Sequence, residues 1–130
     1  MAKRNYDVIK TTTDDNVTLA LLHEWDSVVA TAYPILNKLS GEHLDLKQYG
    51  LAALFKQPEL FYRMSKSNQI SKIYDADANL SNIRYAFRFM YTVGLITEDT
   101  EVMVLRQILL VQRLLNMIVE HKNANKGKIG

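Results

Sequence analysis

The chain of 130 residues contains no cysteine, which excludes disulfides, thiolate nucleophiles, iron–sulfur clusters and every zinc site built with Cys. Glycine and proline are scarce, five and two residues, so the turns that many-stranded folds require are in short supply and long helices are favoured. The same scarcity leaves no Gly-rich phosphate loop, nucleophile elbow, Walker sequence or kinase signature. A dominant charge is also missing: 16 Lys+Arg against 14 Asp+Glu, a formal +2, does not name a nucleic-acid or membrane partner by itself. The most apolar stretch, residues 102–119, is interrupted by Arg106, Gln107, Gln112, Arg113 and Asn116, and is expected to be a core helix rather than a bilayer span of about 20 apolar residues. No apolar segment follows Lys3 and Arg4, so no signal peptide is expected, and the expected location is cytoplasmic with no membrane contact.

Within these limits the pattern is helical. Residues 1–13, with Thr11, Thr12 and Thr13 in a row, carry no helical period and are read as a flexible N-terminal arm or a short strand, with no part in the core. Asp14, Asp15 and Asn16 are N-cap candidates. At 100° per residue, Leu21, Leu22, Trp25, Val28, Val29, Ala32, Leu36 and Leu39 then share one arc, with His23, Glu24, Ser27, Thr31 and Lys38 on the other. Pro34 predicts a kink or break near Tyr33. Residues 44–56 return to helical spacing through Leu46, Tyr49, Ala53 and Leu54, and Gln57-Pro58 is expected to close that helix and open a short one over 59–64.

Further along, residues 68–74 predict another short helix, 75–79 a turn made by Asp75, Asp77 and Asn79, and 80–93 a helix ended by Gly94. The last helix has Thr100 as a candidate cap, Glu98, Asp99 and Glu101 at its positive end, and His121 and Lys122 at its negative end. Its apolar arc through Met103, Val104, Ile108, Val111, Leu114, Leu115 and Ile118 is wider than one packing stripe needs, because Leu105 and Leu109 lie beyond it. Either this helix packs on two sides inside the domain, or Leu105, Leu109 and Arg113 form a surface for a second copy or another protein. Residues 123–130 are read as a flexible basic tail.

The resulting expectation is an all-α single domain over 14–122, with five or six helices in which long first and last helices surround short central ones. Its chemistry is sparse. The three His residues are far apart. His23 and Asp26 can meet on one helix face, but a metal site needs three or four converging ligands. Asp75, Asp77 and Asn79 lack the further acidic residues of a calcium loop. Neither a metal nor a cofactor is expected, and the protein is read as a non-enzyme.

One segment rises above this background. Residues 70–96, Ile-Ser-Lys-Ile-Tyr-Asp-Ala-Asp-Ala-Asn-Leu-Ser-Asn-Ile-Arg-Tyr-Ala-Phe-Arg-Phe-Met-Tyr-Thr-Val-Gly-Leu-Ile, resemble the helix-turn-helix of winged-helix DNA-binding domains. Under that resemblance Ile83, Phe87 and Met90 are core positions of a recognition helix, and Gly94-Leu95-Ile96 is its exit. Asn79, Ser81, Asn82, Tyr85 and Arg88 would then face the major groove or its phosphates, with Lys72 and Arg84 flanking. Charge agrees in sign: residues 61–92 carry five basic and two acidic side chains, whereas residues 14–60 carry three basic and seven acidic. The acidic run Glu98, Asp99, Glu101 after the exit departs from a basic wing. Two functions follow as expectations, a small DNA-binding or regulatory protein that self-associates through its last helix, and a helical protein–protein adaptor or assembly subunit with no nucleic-acid contact.

Overall fold

The computed structural model of the protein describes residues 14–129, with side chains described over 17–124; the expected N-terminal arm, residues 1–13, lies outside the described residues. Among the described residues four α-helices follow one another, α1 (Asp14–Asn37), α2 (Leu44–Ser65), α3 (Ile70–Thr92) and α4 (Glu98–Ile129), with one 3₁₀ turn at Gly41–His43 between α1 and α2. The helices pack in a ring, α1 on α2, α2 on α3, α3 on α4, and α4 back on α1. Short connections between packed neighbours make this an up-down-up-down bundle. All-α is therefore correct, but the expected five or six helices are four, because two predicted breaks are absent.

Spacing explains the bundle. Val17, Leu21, Trp25, Val28, Ala32 and Leu36 of α1, Ile73, Ala76, Leu80, Ile83, Phe87 and Met90 of α3, and Val104, Ile108, Val111, Leu115 and Ile118 of α4 recur every three or four residues and are all buried. Glu24, expected on the polar arc, is buried as well, and Met103, expected in the core arc, is exposed. In α2 the buried phase runs through Gly50, Leu54, Gln57, Phe61 and Met64, one step from the expected Tyr49, which stands in solvent. Gly50 is there because Leu36 of α1 lies so close that a Cβ would sit 2.6 Å from its terminal methyl.

The first missing break is at Pro58, which lies inside α2. A proline within a helix deprives the carbonyl four residues earlier of its donor, here Leu54. The indole Nε1–H of Trp25, from α1, donates to that carbonyl at 3.0 Å in the buried core, while the Trp25 ring meets Phe61 edge-on at 6.3 Å. The helix runs through its proline because a neighbouring helix supplies the lost donor. Pro34 likewise lies inside α1, which continues to Asn37, so of the kink or break expected near Tyr33 the break does not occur.

The second missing break is the turn expected at 75–79. These residues are helical, and α3 is continuous from Ile70 to Thr92. Ala76 and Asn79 are buried against α2, and that packing outweighs the turn preference of Asp75, Asp77 and Asn79. The bend that separates the two helices of a helix-turn-helix is not present at these residues.

The other ends behave locally. Gly94 has φ +81°, with Leu95 N–H donating to Met90 O at 2.8 Å and Gly94 N–H to Tyr91 O at 3.0 Å, the glycine-dependent arrangement that satisfies the last carbonyls of α3. The cap of α4 is Thr97 rather than Thr100: its Oγ1 accepts from Thr100 N–H at 3.2 Å, and its carbonyl accepts from Glu101 N–H at 3.0 Å. The α4 backbone stays helical to Ile129, beyond the expected end at 122, so the expected tail is helical up to that residue. By length and composition α4 could cross a membrane over Glu98–Ala124; its five polar interruptions do not exclude a span, and in this fold its buried arc is occupied by the bundle core.

Candidate functional site

Polar side chains gather in two places, on opposite sides of α3. Toward α2, Gln57 and Asn79 form a closed amide pair. Asn79 Nδ2 donates to Gln57 Oε1 at 2.9 Å and to Ala53 O at 2.8 Å, and Gln57 Nε2 donates to Ala76 O at 3.0 Å. Gln57 is fully buried and Asn79 is 8% exposed, so Asn79 faces the bundle interior and its amide protons are engaged there. The recognition surface expected of it is replaced by a structural role, in which α2 and α3 are cross-linked where Pro58 weakens the α2 ladder.

Toward α4, Gln112 plays the corresponding part. Its Nε2 donates to Asp77 Oδ1 at 3.0 Å, and its Oε1 accepts from Arg84 Nη1 at 3.1 Å. Asp77 and Arg84 are two turns apart on α3, so Gln112 sets the register of α4 against it. This cluster is less complete than the first: the Nε of Arg84 is buried without a hydrogen-bond partner.

Beside this junction lies a groove of about 550 Å³, lined by Ser81, Arg84, Tyr85, Arg88, Tyr91 and Thr92 of α3 and by Glu101 and Leu105 of α4. Four residues singled out from the sequence for nucleic acid, Ser81, Arg84, Tyr85 and Arg88, come together here with Leu105, singled out for a partner surface. Arg88 and Glu101 share the groove without an ion pair between them.

The remaining candidates lie elsewhere. Asn82 is exposed outside the groove. Lys72 is half-buried and lines a separate shallow hollow with Tyr62 and Lys66 near the α2–α3 connection. Leu109, 37% exposed, follows Leu105 one turn along α4, and Arg113 is exposed beyond it. Sequence reasoning missed Tyr91, Thr92 and Glu101. The i+3 and i+4 spacing from Arg88 pointed to the first two, but Glu101 enters only through the antiparallel pairing of α4 with α3.

The groove holds two guanidinium groups, two phenols, two aliphatic hydroxyls and one carboxylate beside the side chain of Leu105. Among the described residues no three His, Asp or Glu side chains converge as a metal site would require. No protein-family model and no curated protein matches the chain.

Proposed function

We propose that the protein is a non-enzymatic helical interaction module whose α3–α4 face docks another polypeptide. The observation that carries this reading is the make-up of that face. Tyr85 is 62% exposed and Tyr91 41% exposed, and they stand with Arg88 beside Leu105 and Leu109 on two helices already anchored by buried cores. Tyrosine and arginine are the residue types that concentrate binding energy at protein interfaces, and they do so best on a rigid support. The bundle gains little from exposing them.

A second reading, nucleic-acid binding through the segment that resembles a helix-turn-helix, is favoured by one observation, the gathering of Ser81, Arg84, Tyr85 and Arg88 on one groove. Against it stand Glu101 in the same groove and Glu98 and Asp99 at the adjoining end of α4, which oppose a polyanion. A fluorescence titration with duplex DNA at low and high salt separates the two. The protein-docking reading expects no saturable, salt-sensitive binding. Binding that weakens steeply with salt, and weakens again in Arg88→Ala with Asn82→Ala at unchanged helicity, overturns it. On either reading the cytoplasm remains the proposed location.

A further inference from the structure

Where they line the groove, the two helices present charge of opposite sign. On its groove side α3 presents Arg84 and Arg88. On α4, the 100° spacing places Glu98 in line with Glu101, Leu105 and Leu109, with Arg113 exposed one turn further on, so the strip is acidic at the end beside Arg88, apolar at its centre and basic at its far end. Such a face has a property that a one-sign patch lacks: it is complementary to itself. A two-fold interface requires this, because each strip must meet the other strip of an identical copy.

We infer that the occupant of the α3–α4 groove is a second copy of this chain, in a two-fold dimer whose axis runs parallel to the helices. This deepens the protein-docking reading and rests on it. With that axis, α3 of each copy lies over α4 of the other at the same height. The hydrogen bonds of Gln112 to Asp77 and Arg84 fix which residues are level: Arg88 stands opposite Leu105, one turn from Glu101, and Arg84 opposite Leu109. The operation therefore brings Arg88 of one copy within reach of Glu101 of the other, twice over, and covers Tyr85, Leu105 and Leu109 between them. The absence of an Arg88–Glu101 pair within the chain leaves both groups available for the crossed pairs. Burial between two copies also strengthens these pairs relative to the same pairs in solvent.

Size is consistent with a stable assembly. The 23 residues of α3 extend about 34 Å at 1.5 Å per residue. Two helices about 10 Å apart, in contact along that whole length, offer at most a face on the order of 650 Å² per copy, somewhat below the roughly 800 Å² per partner of ordinary specific complexes.

Sedimentation equilibrium over a dilution series tests the inference directly. Wild-type protein is expected to approach twice the 14.9 kDa chain mass at high concentration and to dissociate on dilution. Arg88→Glu and Glu101→Arg should each weaken association by about tenfold or more, and the double variant, which exchanges the charges, should recover most of the loss. Tyr85→Glu, at a side chain outside the core, should also dissociate the dimer without loss of helicity by circular dichroism. A single species of chain mass at every concentration overturns the inference while leaving docking of a different protein intact. So does a dimer indifferent to both charge reversals and to Tyr85→Glu.

Discussion

The two sides of α3 use similar residue types to opposite ends. Toward α2, Asn79 and Gln57 are buried and bonded to one another and to backbone carbonyls of both helices, so these groups are committed to the fold. Toward the outer edge of α4, Arg88 forms no ion pair with a described residue, Tyr85 stands in solvent and Arg84 has a buried Nε unsatisfied. An amide pair in a low-dielectric interior is stable only when complete, and once complete it binds nothing else. An incomplete set at the mouth of a groove keeps its capacity for a partner. The contrast separates polar residues that build this protein from those that it presents.

The comparison can be broken most severely at Asn79. Replacement by Ala leaves the Gln57 carbonyl oxygen and the Ala53 carbonyl without their shared donor and opens a cavity, and is expected to cost about 2–4 kcal/mol in urea denaturation. A cost below that of a surface substitution would place Asn79 back among the free polar groups. Trp25→Phe removes the donor to Leu54 and is expected to cost about 1–3 kcal/mol. Its mechanism is sharpened by a second change: in a Pro58→Ala background the backbone regains an N–H that can donate to the Leu54 carbonyl, and the penalty for losing the indole should shrink by about 1 kcal/mol. Strict additivity of the two changes in a double-mutant cycle would mean that the indole is not standing in for the proline's missing donor. At the small end, Tyr85→Ala and Arg88→Ala on the open side should each shift stability by no more than about 0.5 kcal/mol when unfolding is followed at a dilution where the chain is monomeric. A larger loss at either would make the open face part of the folding core.

Legibility followed sequence separation. The spacing of Ile83, Phe87 and Met90, the stop at Gly94 and the acidic start of α4 are written into consecutive residues, because a helix face repeats every three or four positions and a left-handed residue after α3 calls for glycine. Pro58 reads as a break because the donor that lets the helix pass through it sits 29 residues from the carbonyl it serves. The stretch 75–79 misleads for a related reason: Asp and Asn favour turns when judged alone, yet Ala76 and Asn79 face α2. Glu101 is invisible as a groove residue because it nears Arg88 only after α4 folds back antiparallel to α3.

By itself, then, the amino-acid order determined that the described residues are helical, where most of the apolar faces of α1, α3 and α4 lie and which side chains carry charge, since each depends on contacts within a few residues. Tertiary structure decided how many helices there are, which amides are sealed inside, and that Arg84, Arg88, Tyr85 and Leu105 share one groove. Those outcomes depend on donors, packing surfaces and charges brought together from different helices, and no local period encodes that meeting.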